Sequence, residues 1–481
     1  MTSTPMTTSP ETDTEAPSTS PGSATLWRAA WRWHFYAAIF VLPILLTLAV
    51  TGFIILIKPT VERWAYGDML YVDTVATAAP LAAQQQSVLD THPDAMVDAV
   101  VPPRDAGRAT QFDISTADGK SLSVYVNPAD STVLGHIDND TRIDFVATQI
   151  HGTLWMGRWG DYLVEIAGGW TLVMALTGTY LWFPRKRVPN AVRRAFVPRF
   201  REKGRRRWRD MHSTVGAIGA PVLVFLAITG LPWSGFWGSQ LWGPLIDRLD
   251  SGYGWPSEDP VSSHEHSAAD LQTAGLRISW ANQLRDVPSS DATSSVESMP
   301  PALALEEVQV IAADVGMRPG YAIGLPGDEN GVYTLSNSWP SPAQDERTVY
   351  LDQYSGKVLD EVSWHTSFGA LAKITSWGVD AHMGRQLGVV NGIVMGAVSL
   401  GVIFSIVSAP VMYWKRRPRG SLGFPRRPID AWLVRGVVVI AAVLGILFPL
   451  LGASMIVVAV VDHFLIRRAP QLRGVFGMRE Q

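Results

Sequence analysis

The sequence predicts an integral membrane protein: an all-α membrane bundle of about six transmembrane helices, internally duplicated, that carries two extracytoplasmic α+β domains. Three observations indicate this class. Apolar stretches of about 20 residues, long enough to cross a bilayer, alternate with stretches of ordinary soluble composition. Many of the 19 tryptophans lie at the ends of the apolar stretches, as aromatic residues do at membrane interfaces. The two halves of the chain also repeat one pattern of residues.

Composition and motifs exclude several kinds of site. The net charge of -3 argues against a nucleic-acid partner for the chain as a whole. The absence of cysteine excludes disulfides, thiolate zinc sites, iron–sulfur clusters and covalently attached c-type haem. The sequence lacks the glycine-rich motifs of nicotinamide and ATP sites, the G-x-S-x-G elbow and the H-E-x-x-H zinc motif.

Five apolar stretches define the expected membrane helices, and the last of them is expected to form two. At about 36 residues, 431–466 would make a helix of about 54 Å, too long for one span. Pro449 and Gly452 interrupt it near the middle, which favours a hairpin of two short spans. The chain is therefore divided into a disordered cytoplasmic tail (1–24), TM1 (25–57), the first outer domain (58–160), TM2 (161–184), a basic cytoplasmic loop (185–209), TM3 (210–231), the second outer domain (232–385), TM4 (386–414), a cytoplasmic loop (415–430), the TM5–TM6 hairpin (431–466) and a cytoplasmic tail (467–481).

Basic residues set the expected orientation. Arginine and lysine are concentrated in 185–209, in 415–427 and in the tail that begins at Arg467. Six spans place all three segments on the cytoplasmic side together with the N-terminus, in accord with the positive-inside rule, whereas five would leave Arg467 outside. We therefore expect a multi-pass protein of the cytoplasmic (inner) membrane, with a retained first span and with both large inserts outside.

An internal repeat relates the two halves of the chain. The pattern His-x8-Pro-x7-Thr-Gly occurs at 34–52 and again at 212–230. The outer segments SVYVNPADSTVLG (123–135) and TVYLDQYSGKVLD (348–360) also match each other. Near the end of each half, His151 lies 31 residues before Trp182, and His382 lies 32 residues before Trp414. These matches predict the duplication of a unit of span, outer domain and span.

Four histidines occupy matched positions in this repeat. His34 and His212 begin their helices at the cytoplasmic face, and His151 and His382 precede theirs at the outer face. Neutral imidazole is a good axial ligand for haem iron, and two imidazoles from facing helices can hold one porphyrin. We therefore expect the four histidines to bind two haems at different depths, since the 17 residues from His34 to Thr51 span about 26 Å. Small residues near them would leave room for a macrocycle or for close helix packing: Ala37, Ala38, Gly152, Gly157, Gly216, Gly219, Gly384 and Gly388.

The alternative for each histidine is a structural role at the membrane interface. Histidine at a helix end often hydrogen-bonds headgroups or backbone at the membrane interface. The remaining histidines are weaker candidates: His365 lies near the fourth span, His264 and His266 stand in a polar loop, His463 ends the last span, and His92 and His136 are expected at the surface.

These segments together resemble the PepSY-associated transmembrane family. The resemblance rests on the two His-x8-Pro-x7-Thr-Gly spans, on the paired outer segments and on HGTLWMGRWGDYLVEIAGGWTLVMALTGTYLWFPRKR, and it covers roughly Trp27 to Arg417. It implies PepSY-like outer domains and two b-type haems on His34, His151, His212 and His382. It also implies electron transfer from a cytoplasmic donor or quinol to a ferric siderophore or another ferric chelate outside, for iron acquisition. The C-terminal apolar region 431–466 departs from the family pattern.

Two other functions remain as alternatives. A haem-free membrane protein would use its PepSY-like domains to bind a peptide, a peptidase or an envelope component, and would tolerate replacement of the four histidines. An iron or siderophore permease is disfavoured, because the spans carry almost no charged groups apart from Glu165 and Arg435 near their ends.

Overall fold

The computed structural model describes residues 21–73, 77–184, 195–197, 199, 201–250, 287–290, 301–337, 342–417, 431–461 and 464. Several expectations fall outside this part of the chain. They concern the N-terminal tail up to residue 20, the first part (185–194) of the basic loop 185–209, the basic residues between 417 and 431 and beyond 464, His264, His266 and His463.

Twelve helices and eight strands are named here in chain order. The helices are α1 (Pro21–Leu56), α2 (Lys58–Leu70), α3 (Leu81–Thr91), α4 (Ile143–Thr153), α5 (Gly157–Trp182), α6 (Arg205–Gly230), α7 (Gly243–Asp250), α8 (Leu305–Asp314), α9 (Ala370–His382), α10 (Gly388–Arg416), α11 (Ala431–Leu447) and α12 (Pro449–Val461). The strands are β1 (Met96–Val101), β2 (Thr110–Ser115), β3 (Ser121–Val126), β4 (Val133–Asp138), β5 (Ala322–Gly324), β6 (Val332–Asn337), β7 (Arg347–Asp352) and β8 (Val358–Ser363).

Three of the described helices are long and apolar enough to cross a bilayer. They comprise Leu26–Leu56 of α1, Arg205–Trp233 of α6 with the turn that follows it, and Gly388–Arg416 of α10. The chain is therefore membrane-associated and contacts the lipid bilayer. Membrane crossing by α5 and by the hairpin α11–α12 stays a prediction.

The long helices form a bundle in which α1 and α6 stand at opposite corners. Each of these two helices packs against both α5 and α10. The α12 helix packs on the outside of α5, where Trp170 donates a hydrogen bond from Nε1 to Ser454 Oγ at 3.0 Å. Side chains that extend from α1 and α6 towards the bundle interior therefore approach one another from opposite sides.

A tight helical hairpin ends the described chain. The α11 helix ends at Leu447 and α12 begins at Pro449, the residue expected to interrupt this region. The two helices come close at Gly445 and Gly452, where a side chain on Gly445 would lie 3.0 Å from the Cα of Gly452. Glycine at both positions allows this approach.

Strands from both large inserts form one eight-stranded sheet, with the order β4-β3-β2-β1-β5-β6-β7-β8. All pairs are antiparallel, and the two inserts meet at the centre, where Ala99 pairs with Gly324 and Val100 with Ile323. The inserts were expected to be separate domains. Pairing β1 with β5 satisfies backbone groups that would otherwise be exposed at two sheet edges.

The two faces of the sheet have different neighbours. One face carries the largest apolar core, built from alternate residues such as Phe112 and Ile114 together with side chains of α3 and α8. The α8 helix contributes Leu305, Val308 and Ala312 to this core. The opposite face packs against α2 on one half and against α7 and α9 on the other. This second face is directed towards the membrane helices, since α2 follows α1 and α9 precedes α10.

Candidate functional site: two histidine pairs in the helix bundle

The outer pair consists of His151 and His382, which lie in the last turns of α4 and α9. Their ring centroids are 6.4 Å apart and their planes are nearly perpendicular, at 86°. A metal held between two imidazole nitrogens at the usual distance of about 2 Å would place the ring centroids about 6 Å apart. The observed separation matches that requirement.

Each ring of the outer pair is held by a threonine hydroxyl. His151 Nδ1 lies 3.0 Å from Thr51 Oγ1, and His382 Nδ1 lies 2.9 Å from Thr229 Oγ1. Thr51 belongs to α1 and Thr229 to α6. In each half, the threonine of the repeated pattern His-x8-Pro-x7-Thr-Gly is therefore the residue that orients an outer imidazole.

The inner pair consists of His34 on α1 and His212 on α6, the helices at opposite corners of the bundle. His34 Nδ1 lies 3.2 Å from Thr177 Oγ1 and 3.1 Å from the carbonyl oxygen of Met174, both on α5. His212 Nδ1 lies 2.9 Å from Ser408 Oγ on α10. The two rings thus lie on helices that pack against the same two neighbours, α5 and α10, and they form the second candidate pair.

All four rings are therefore held in the same way. In each of the four rings Nδ1 lies within hydrogen-bond distance of a hydroxyl on a neighbouring helix, and His34 Nδ1 also contacts the Met174 carbonyl. Each half of the chain supplies one ring to each pair and holds both rings with its own hydroxyls. Nε2 of each ring is thereby left for a ligand.

Small residues beside the hydroxyls make room for the rings. A side chain on Gly52 would lie 3.1 Å from Cε1 of His151, and one on Gly178 would lie 3.0 Å from Cε1 of His34. The corresponding distance from Gly230 to His382 is 3.7 Å. Each of these glycines directly follows an anchoring threonine.

The residues of both pairs fit haem. Two neutral imidazoles are a donor set that suits low-spin haem iron. On α6, Gly216 and Gly219 lie four and seven residues after His212 and so share its helix face, and no atom lies within 4 Å of a side chain placed on either glycine. Among the described residues, no group of three or more histidine, aspartate or glutamate side chains could hold a bare metal ion.

Sequence analysis missed two of the anchors, Thr177 and Ser408. A signal for them exists, because each lies 26 residues after an outer histidine, His151 or His382. Both are followed by a small residue, as Thr51 and Thr229 are. The hydroxyl-small dipeptide therefore recurs beside all four rings.

The other described histidines lie outside the bundle. His365 is exposed. His92 and His136 were expected at the surface, and the structure places their ring centroids 5.5 Å apart beside a groove at the β4 edge of the sheet.

Comparison with known proteins supports the resemblance seen in the sequence. A model of the PepSY-associated TM region matches residues 31–416, which include all four histidines and their anchors. No curated protein matches the chain. Since the match covers most of the 481 residues, the chain belongs to the family of the PepSY-associated TM region.

Proposed function

We propose that this protein is a di-haem transmembrane electron-transfer protein that reduces a ferric siderophore or another ferric chelate on the outer side of the cytoplasmic membrane. The observation that carries the proposal is the presence of two imidazole pairs in one bundle, each with its Nδ1 atoms anchored and its Nε2 atoms available. Histidines that only contact lipid headgroups at the interface would not be expected to share one hydrogen-bond pattern, from Nδ1 to a hydroxyl, at all four positions.

A duplicated six-span topology is part of the proposal. The order of strands and helices supports the duplication, because it is the same on both sides of the central β1–β5 pair. With α5 and the hairpin α11–α12 as further spans, the N-terminus and the basic segments lie in the cytoplasm. His34 and His212 then lie towards the cytoplasm, and His151 and His382 towards the outer side.

The chain provides two redox sites and an outer platform. Haem b bound at each imidazole pair would supply one-electron redox chemistry at two depths of the bilayer. Along α1, His34 and Thr51 mark these depths, about 26 Å apart.

The outer pair lies where the sheet joins the bundle. The α4 helix follows β4 closely, and α9 follows β8 closely, so the two strands at the sheet edges lead directly to the outer histidines. A ferric chelate bound at the outer sheet would therefore be near His151 and His382. One electron converts its ferric iron to ferrous iron, and a quinol or a cytoplasmic partner is the proposed donor.

The test is the absorption spectrum of the detergent-purified protein, oxidised and then reduced with dithionite, with a pyridine haemochrome count. We expect two b-type haems per chain with low-spin bands. His151→Ala and His382→Ala should each remove one haem, while His136→Ala, at the sheet edge, should remove none. Addition of a ferric hydroxamate siderophore to the reduced protein should reoxidise it.

Two results would contradict the proposal. A colourless protein from cells with ample haem would rule out the electron-transfer mechanism and would direct attention to peptide or envelope binding by the outer domains. A haem-loaded protein that no ferric chelate reoxidises would retain the cofactor assignment but reject the substrate.

A further inference from the structure

We propose that Thr51, Thr177, Thr229 and Ser408 are positioning residues that fix each imidazole as its Nδ1–H tautomer and lower the midpoint potential of the iron bound at Nε2. This inference rests on the proposed function, since it concerns the same two haem sites. It assigns a role to four hydroxyls that touch neither iron nor substrate.

The direction of each hydrogen bond follows from the single proton of each hydroxyl. A hydroxyl has one proton, and each of these four donates it to a carbonyl of its own helix. The acceptors are the carbonyl oxygens of Thr47 at 2.7 Å, Val173 at 2.7 Å, Phe225 at 2.8 Å and Ser405 at 3.0 Å, for Thr51, Thr177, Thr229 and Ser408 respectively. The hydroxyl oxygens can therefore only accept from the imidazoles.

The direction of these hydrogen bonds fixes the tautomer of each imidazole. If the hydroxyl oxygen accepts, Nδ1 must carry the proton, because a neutral imidazole has one N–H and one lone pair. The lone pair then belongs to Nε2. His34 shows the same assignment independently, since its Nδ1 also lies 3.1 Å from the Met174 carbonyl, which can only accept.

A hydrogen bond from the far nitrogen of a ligating histidine fixes the orientation of the ring and raises the basicity of the ligand nitrogen. A more basic ligand stabilises ferric over ferrous iron and so lowers the midpoint potential. The bonds lie in an apolar bundle, where water cannot easily replace a lost acceptor.

These hydrogen bonds give the repeated motif a role at both sites. In each His-x8-Pro-x7-Thr-Gly segment, the histidine belongs to the inner pair and the threonine holds a ring of the outer pair. Each segment thus serves both sites from one helix. Substitution of its threonine should change the outer haem alone.

Redox potentiometry of the purified holoprotein tests the inference. Thr51→Val and Thr229→Val, which keep the shape but remove the acceptor, should shift the midpoint potential of one haem to more positive values. Thr177→Val and Ser408→Ala should shift that of the other haem. Thr51→Ser should restore the wild-type value, because serine keeps the acceptor.

Two threonines of α5 serve as matched controls. The hydroxyls of Thr171 and Thr179 donate to the carbonyls of Ala167 and Ala175, as that of Thr177 does to Val173, but neither is hydrogen-bonded to an imidazole. Thr171→Val and Thr179→Val should leave both potentials unchanged. Unchanged potentials in the four anchor variants, or equal shifts in the controls, would overturn the inference while leaving the di-haem proposal intact.

A second readout does not need the cofactor. ¹⁵N NMR of histidine-labelled protein reports the tautomer of His151, whose signal is assigned by its loss in His151→Ala. We expect Nδ1–H in the wild type and a mixture of tautomers in Thr51→Val. A wild-type mixture would reject the positioning role, whereas absence of haem together with a fixed Nδ1–H tautomer would reject only the proposed function.

Discussion

At the scale of single residues, the glycines beside His34 and His151 leave less space than the glycine beside His382. Methyl groups at Gly52 and Gly178 would lie 3.1 and 3.0 Å from imidazole carbons, closer than ordinary van der Waals contact. Gly52→Ala and Gly178→Ala should therefore displace their rings, lower the haem content at one site each, and destabilise the protein by about 1–3 kcal/mol. Haem-to-protein ratio and thermal unfolding of the purified protein measure both effects.

Gly230→Ala is the control for these two substitutions. Its methyl group would lie 3.7 Å from the His382 ring, an ordinary contact distance. Haem content should stay at the wild-type level. If all three alanine variants lose haem equally, steric displacement of the ring is not the cause.

A buried carboxyl in the outer sheet predicts a pH dependence. Burial raises the pKa of Asp98 to about 6 from the ordinary value of 3.8, although the Ser115 hydroxyl, which donates at 2.6 Å, opposes that rise. The folded state therefore holds its proton more tightly than the unfolded state. The free energy of unfolding should fall as pH rises from about 4 to 6, by about 2–3 kcal/mol, and no further above that window.

Comparison of the wild type with Asp98→Asn isolates this effect from other titrating groups. Asparagine keeps the shape and an acceptor for Ser115 but does not ionise. The difference in thermal midpoint between the two proteins should grow from pH 4 to pH 6, with the variant more stable at neutral pH. A difference that does not vary with pH would reject the assignment to Asp98.

At the scale of elements, an ion-pair network holds α4 against α2. Arg142, just before α4, bonds to Glu62 at 3.1 Å and to Asp144 at 3.0 Å, while Lys58 lies 2.6 Å from Asp144. Burial would raise the pKa of the Asp144 carboxyl, but Lys58 and Arg142 outweigh it and hold that pKa at about 2. This network fixes the helix that ends in His151.

Loss of Arg142 should therefore loosen the outer site selectively. Arg142→Ala leaves two carboxylates without their buried partner and should cost about 2–4 kcal/mol. We expect reduced haem content at the outer site and an unchanged inner site. Arg104→Ala, which removes an exposed ion pair at 3.9 Å, should change neither.

Acid should weaken the ion-pair network around Asp144 in the wild type. A carboxyl with a lowered pKa contributes stability that is complete above its unfolded value of 3.8 and is lost as pH falls towards 2. The spectrum of the outer haem should thus change below pH 4 before that of the inner haem. Simultaneous loss of both would indicate global unfolding instead.

The elements differ in how well the sequence predicts them. The helices α1, α5, α6 and α10 follow from uniform apolar stretches, which need no partner to be recognised, and the break at Pro449 follows from local backbone chemistry. The β1–β5 pair could not be predicted in this way. It joins Val100 to Ile323, and pairing between segments so distant in the chain leaves no local signal.

The sequence predicts the histidines of the candidate site but not all of the residues that hold them. Histidines at matched positions such as His34 and His212 stand out against apolar helices, so their residue type and spacing identify them. Thr177 and Ser408 do not stand out, because threonine and serine are common in membrane helices and usually bond to their own helix. Their role depends on which helix faces which ring, and that is a property of the packed bundle.

At the scale of the whole molecule, the two halves depend on each other at both sites. Each imidazole pair takes one ring from each half, and the outer sheet is continuous across the β1–β5 pair. A chain divided between Pro184 and Arg205 should therefore assemble when both pieces are made together. The two pieces should copurify and show both low-spin haems.

Either piece alone should bind no haem with two histidine ligands. The first half keeps His34 and His151, which lie in different pairs, and the second keeps His212 and His382, which do so too. Low-spin bands in one piece alone would mean that the pairs form within a half, contrary to the 6.4 Å approach of His151 and His382. If the two pieces copurify with a single haem, one of the two sites binds haem more weakly. Thr51→Val in the first piece would then show whether the weaker site is the outer one.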